Sequence, residues 1–361
     1  MAIPLKNLYN EEYISLLAKI VYKHHKGFSK EKFKNAIFDA EWKKRELKSR
    51  MHHISQTLGV FLTGNYHNDI KILISTFKDI NYSFKLENMI FQDYVATFGL
   101  EDFELSMSAL GEFTVNSSSE FAIREFLLKY EKQTLQQMSI WAQSDCEHLR
   151  RLASEGCRPR LPWAKALPAF KKNPQPILEI LEQLKNDTSP YVRKSVANNL
   201  NDISKENPRS VIGLSKRWLD ENTNTQSLLK HGCRTLLKSG NKEVLEIFGF
   251  LQKQNIKIKN LLYTQAIKRD EHFFFAFDLV SSQELGLLRV EFAIHFLRKN
   301  RQHNKKVFQL VQKEYATEQM SFEKSYSFKH ITTRTYYEGT QKLSIIVNGE
   351  VLKEVEFTLL P

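Results

Sequence analysis

The feature that most restricts the fold is a recurring pair of amphipathic segments. Residues 191–200 (YVRKSVANNL) align with residues 227–236 (SLLKHGCRTL) at an offset of 36, and residues 148–153 align with 191–196 at an offset of 43. A second amphipathic segment precedes such a stretch, as residues 176–184 (PILEILEQL) precede Tyr191. Helix pairs that recur every 36–45 residues or so have the period of a HEAT-type solenoid. Periodicity alone also leaves open a non-repetitive helical bundle. The string Asp187-Thr-Ser-Pro190-Tyr-Val-Arg193 favours the solenoid, because it has the form of an inter-helix turn followed by a second-helix start. Turn and cap signals divide the same region: Gly27-Phe28-Ser29, Thr63-Gly64-Asn65, residues 116–119, Asn173-Pro174, Ser189-Pro190, Asn207-Pro208 and Gly240-Asn241. Several place Ser or Asn before Pro, the order of an N-cap followed by a residue suited to the first helical turn.

Near residue 255 the pattern changes. Residues 273–277, 287–296 and 307–311 are rich in aromatic and branched side chains. Residues 343–347, then Asn348-Gly349, then 350–357 read as strand, two-residue turn and strand, since Asn-Gly accepts the positive φ values that a type I′ turn demands. The sequence therefore predicts a mainly α chain: a helical-repeat domain over 1–254, then an all-β immunoglobulin-like sandwich over 255–361 without its disulfide. The length of 361 residues suits two or three domains, and the 13 Gly and 9 Pro are too few for a low-complexity or collagen-like chain. Three cysteines cannot form a disulfide framework. The N-terminus has no apolar signal-like stretch, and no apolar run approaches the length of a membrane span, so a cytoplasmic protein without a membrane partner is expected.

Lysine and arginine exceed the acids by 12, which raises the expectation of a polyanionic partner. Half of that surplus falls within residues 111–254. Between Leu149 and Lys172 there are seven bases and one acid, Glu155. Such a stretch suits phosphate binding, although solubility is the plainer explanation. A carboxylate among phosphate-holding arginines weakens DNA binding, so Glu155 needs another reason to be present; an ion pair with Arg151 one turn earlier would be reason enough. On the helix over 190–205, Val192, Val196, Leu200 and Ile203 form the apolar stripe. Lys194, Asn198, Asn201 and Lys205 lie opposite, with Asp202 on the shoulder. If equivalent helices stack, Glu120, Glu155 and Asp202 can converge on one face. Asp202 as an ordinary surface residue stays open.

Residues 149–164 (LRRLASEGCRPRLPWA) and 195–204 (SVANNLNDIS) strongly resemble the AlkC branch of the AlkC/AlkD DNA alkylation repair glycosylases, and residues 118–124 (SSEFAIR) resemble that family's upstream motif. The resemblance implies a monofunctional enzyme of base excision repair, a hydrolase that removes cationic N3-methylated bases, chiefly 3-methyladenine, from duplex DNA. It implies catalytic carboxylates at Glu120, Glu155 and Asp202, with Trp163 as their aromatic neighbour; Trp163 as plain core packing stays open. It implies a lesion left largely within a kinked duplex. No cofactor and no metal is expected, since Cys146, His148, Cys157, His231 and Cys233 lack metal-ligand spacing and no phosphate-binding Gly-rich loop occurs. Candidate phosphate contacts are Arg150, Arg151, Arg158, Arg160, Lys165, Lys194 and Arg234. The expected partner is alkylated double-stranded DNA, bound by a monomer that joins the nucleoid when on DNA, with the β domain as an accessory contact. The competing expectations are a HEAT-repeat DNA-binding protein without catalysis and a protein-binding solenoid scaffold.

Overall fold

The computed structural model describes residues 4–80, 83–332 and 334–361. The chain forms two compact units: the first runs to Ser210 and takes in Glu221–Gly232, and the second comprises Val211–Asp220 and Cys233–Pro361. Among the described residues no helix is long and apolar enough to cross a membrane.

Side-chain caps start several helices of the first unit, at the expected Asn65 and at Asn10 and Asp102, whereas the expected caps Ser29 and Ser189 make no side-chain cap bond. Asn10, Asn65 and Asp102 each accept a bond from the backbone N–H three residues on, at 2.9, 3.1 and 3.2 Å. Each such cap is worth about 1 kcal/mol. Pro190 occupies the first turn of Pro190–Ile203, where its missing N–H has no intrahelical partner to lose. The helices then stack in two layers. Leu47–Phe61 packs on Met89–Phe98, Glu147–Gly156 on Pro190–Ile203, and Pro190–Ile203 on Thr223–Gly232. Behind the middle pair lie Glu131–Trp141 and Gln175–Leu184. This is the side-by-side repeat packing of a HEAT-like solenoid.

The apolar stripe read on Pro190–Ile203 is fully inside: Val192, Val196, Leu200 and Ile203 are buried, as are Trp141 and Trp218. One layer is tied to the next through the inter-helix turn. Asp187 takes a two-pronged bond from Arg150 at 2.6 and 3.1 Å and caps the N–H of Ser189 at 2.8 Å. The Ser189 hydroxyl donates to Glu147 on the preceding repeat.

Among the described residues the second unit carries eight strands: β1 Lys257–Tyr263, β2 Ala266–Ile267, β3 His272–Val280, β4 Gly286–Leu297, β5 His303–Tyr315, β6 Gln319–Ser327, β7 Gly339–Val347 and β8 Glu350–Leu359. They form a three-stranded sheet, β1-β3-β6, and a five-stranded sheet, β2-β8-β7-β4-β5. Phe273, Phe275 and Phe277 of β3 interleave with Phe292 and Ile294 of β4, Leu343 and Ile345 of β7 and Phe357 of β8 in one core. The β7–β8 turn has φ of 47° at Asn348 and 81° at Gly349, as the type I′ expectation requires. The strands not read from sequence lie at sheet edges. β1 and β6 flank β3, and most of β6 is exposed, so neither shows the apolar alternation that marks a two-sided or well-buried strand.

Candidate active site

Three segments from adjacent repeats bring the expected carboxylates together. Glu155 stands on the last turn of Glu147–Gly156, Asp202 near the end of Pro190–Ile203, and Glu120 in the turn before Ile123–Lys129. Leu152 and Ala153 anchor the first of these helices in the core, which fixes the direction of Glu155. The Glu155 Oε1 atom accepts a bond from Arg158 Nη1 at 2.6 Å and lies 3.7 Å from Arg151 Nη2. Its Oε2 accepts the Ser195 hydroxyl at 2.6 Å, and Ser195 in turn accepts from Ser154 at 2.7 Å. Arg158 Nε donates to Asp202 Oδ2 at 2.9 Å, and Lys205 donates to Oδ1 at 3.0 Å. Glu120 accepts from Arg151 and from the Ser118 hydroxyl. Acid and base thus alternate in one ladder: Glu120, Arg151, Glu155, Arg158, Asp202.

Alternation explains how so many charges tolerate burial. Glu155 is 6%, Asp202 2% and Arg158 7% exposed. A lone buried carboxylate or guanidinium costs several kcal/mol, and only paired, hydrogen-bonded charges keep their ionised form there. Burial works against the charge on Arg151 and Arg158, but the flanking carboxylates outweigh it and hold both above the usual arginine range.

The structure shows what three of the phosphate candidates hold in the absence of DNA. Arg151 and Arg158 bridge the carboxylates, and Arg150 ties one repeat to the next through Asp187 and the carbonyls of Ser144 and Asp145. Each of these guanidiniums shares donors with a carboxylate, as Arg160 does with Glu206. Glu155 also has a nearer partner in Arg158 than in Arg151. Asn201 and Asp202, placed by the helical wheel on the polar face and its shoulder, are both buried, because the neighbouring repeat covers that side of the helix. The remaining candidates differ among themselves. Lys194 is exposed and has no ion-pair partner among the described residues. Arg160 and Lys165 are exposed but pair with Glu206 and Glu125. Arg234 lies in the second unit, half-buried.

Trp163 is not core. It is 62% exposed, and its backbone is in the left-handed region at φ 65°, which a bulky side chain rarely adopts. Lys48 donates to its carbonyl at 2.8 Å. Sequence reasoning missed Ser195 and Tyr191. The Tyr191 ring is 41% exposed and lies 5.1 Å from the Arg151 guanidinium. Its place one residue after Pro190 was the available signal, since it falls opposite His148 of the preceding repeat at a ring separation of 6.0 Å. The cysteines are unpaired, and among the described residues no group of three or more His, Cys, Asp or Glu is arranged to hold a metal.

The site gathers three carboxylates ordered by arginines and serines, and the loop that follows Glu155 carries the exposed Trp163. The site's position depends on close helix packing at Gly156. A Cβ there would come within 2.6 Å of an Ile123 methyl and 2.8 Å of the Met138 methyl. Gly156→Ala is expected to cost about 1–3 kcal/mol by overpacking and to displace Glu155; urea denaturation checks the first effect.

Comparison with known proteins places these features in a family. A model of the DNA alkylation repair enzyme family matches residues 112–244, and a model of the C-terminal Ig-like domain of the uncharacterised protein YhaZ matches residues 257–361. The uncharacterized protein YhaZ of Bacillus subtilis (strain 168) is 40% identical over 356 residues, 98% of this chain and 98% of the relative. Among solved structures, Pseudomonas fluorescens alkylpurine DNA glycosylase AlkC, bound to DNA containing an abasic site analog, matches with a TM-score of 0.95 and 35% identity. The match covers 99% of this chain and 100% of that one.

Proposed function

From the premise that this chain belongs to the AlkC-type DNA alkylation repair enzyme family, we propose that it is a DNA glycosylase of base excision repair. Its substrate is a cationic N3-methylated base, 3-methyladenine first, in duplex DNA. The glycosidic C1′–N bond breaks with its electron pair leaving on the base, which neutralises the base's positive charge. The sugar takes on oxocarbenium character. Water then adds to C1′ and gives up its proton to a carboxylate.

The observation that carries this proposal is the gathering of Glu120, Glu155 and Asp202 from three consecutive repeats into one ladder. A cationic base is already a good leaving group, so the enzyme's task is to stabilise the sugar cation and hold water. Preorganised carboxylates do both, by Coulomb attraction and as proton acceptors. The displayed Trp163 indole offers a π-face that favours a cationic base over its neutral parent.

Phosphate contact is assigned first to the exposed Lys194, with Arg160 and Lys165, and with the half-buried Arg234. The immunoglobulin-like domain at 255–361 is an accessory DNA-contacting module, with Arg298, Lys299, Arg301, Lys305 and Lys306 exposed on it. Phosphate contacts set register without reading sequence, which suits a repair enzyme acting as a cytoplasmic monomer at the nucleoid.

The test is incubation of the purified protein with methylated duplex DNA and chromatography of the released bases. Release of 3-methyladenine is expected. No release, together with salt-sensitive DNA binding, would favour a binding protein without catalysis.

A further inference from the structure

The motif at residues 118–124 supplies Glu120, but its last residue takes no part in the chemistry above. Arg124 stands on Ile123–Lys129 and is 1% exposed. Unlike Arg150, Arg151 and Arg158, it has no carboxylate partner among the described residues. Burial pushes its guanidinium down to about 10. A buried cation without an ion pair is costly, and its contacts show what it holds.

All of those contacts are main-chain carbonyls. Arg124 Nε donates to the oxygen of Lys165 at 2.6 Å, and Nη1 donates to those of Gly156 at 3.0 Å and Arg158 at 2.8 Å. Nη2 has no partner. The three carbonyls bracket one segment, 156–165, which begins directly after Glu155 and carries both Arg158 and Trp163. Between Arg158 and Lys165 the segment has neither helix nor strand. Its own backbone bonds are few: Ala164 N–H to Leu161 at 3.2 Å, and Leu167 N–H to Pro159 at 3.2 Å. One planar group therefore grips both ends of a loop whose other ties are made by side chains: Lys48 to the Trp163 carbonyl, Arg158 to Glu155 and Asp202, Arg160 to Glu206 and Lys165 to Glu125.

We propose that Arg124 is a positioning residue that sets this loop, so that Arg158 reaches Glu155 and Asp202 while Trp163 stays displayed in its left-handed conformation. The consequence for rate rests on the glycosylase function proposed above; the consequence for the loop does not. Lysine keeps the charge but concentrates its donors on one nitrogen, which cannot span carbonyls at both ends of the segment.

The experiment compares wild type, Arg124→Lys, Trp163→Ala and the double variant. Under saturating enzyme, Arg124→Lys is expected to slow single-turnover base release about ten- to a hundredfold, the usual cost of misplaced catalytic groups. Affinity for duplex containing an abasic-site analogue is expected to fall by a smaller factor than the rate, because Arg160 and Lys165 ride on the loop while Lys194 does not. The two substitutions should not multiply in the double variant, since both act through one loop. Limited trypsin digestion reads the loop directly. Cleavage after Arg160 and Lys165 is expected to rise about tenfold as the loop opens more often, with cleavage after Lys194, inside a helix, as the control for global unfolding.

Unchanged loop cleavage in Arg124→Lys overturns the proposal, as does a pair of rate losses that multiply independently. If wild type releases no base, the glycosylase function fails separately, and trypsin alone decides the role of Arg124. If Arg124→Lys unfolds globally, Arg124→Gln, which retains two donors without the charge, goes through the same digestion.

Discussion

Exchanging Glu155 for Gln, or Asp202 for Asn, is expected to slow base release by about 10²–10⁴-fold. Both replacements keep shape, remove charge and basicity, and turn one acceptor oxygen into a donor. In Glu155→Gln the amide oxygen can still accept the Ser195 hydroxyl, now 2.6 Å from the glutamate. In Asp202→Asn the amide oxygen can still accept from Arg158 Nε, now 2.9 Å from the aspartate. The amide NH2 then meets a donor, Arg158 Nη1 at Glu155 and Lys205 Nζ at Asp202, so some stability is lost along with the negative field at the sugar. Single-turnover rates on methylated duplex measure the loss, and circular dichroism checks that each variant is folded. Release undiminished in both variants would remove these carboxylates from the mechanism.

Arg158→Met is expected to destabilise the protein by about 3–5 kcal/mol, the range for breaking a buried ion pair by removing one partner. The guanidinium is 7% exposed and bridges Glu155 to Asp202. Without it the two carboxylates confront each other at a buried site, and only Lys205, Arg151 and Ser195 remain to satisfy them. Combining Arg158→Met with Glu155→Gln and Asp202→Asn should recover most of the loss, because the uncompensated charge is gone. Urea denaturation of the single and triple variants checks this. A triple variant no more stable than Arg158→Met would show that the cost lies in packing instead.

Much of this architecture was legible in the sequence because its signals are local. Asn65 marks a helix start through its own side-chain cap, and Pro190 through its place in the first turn. Asn348-Gly349 marks its hairpin because few other pairs accept two positive φ values. Glu155 stood out as one acid among seven bases. The partners of those bases did not, since whether an arginine faces phosphate or carboxylate depends on what the neighbouring repeat puts opposite it. Arg151 and Arg158 read identically to Lys194 in one dimension. Ser195 and Tyr191 were passed over for a similar reason: on a single helix they are an ordinary polar position and an ordinary amphipathic start. β6 was illegible because an edge strand with most of its side chains in solvent carries little hydrophobic pattern.

The φ of 65° at Trp163 has a bearing on engineering. Left-handed backbone costs a non-glycine residue about 1–2 kcal/mol, so the main chain at this position would be better served by glycine. A library ranked by thermal stability alone will therefore favour Trp163→Gly, and will discard the displayed indole in doing so. On the role proposed for the indole, stability and activity pull in opposite directions at this residue, so a screen for hardier variants should hold position 163 fixed.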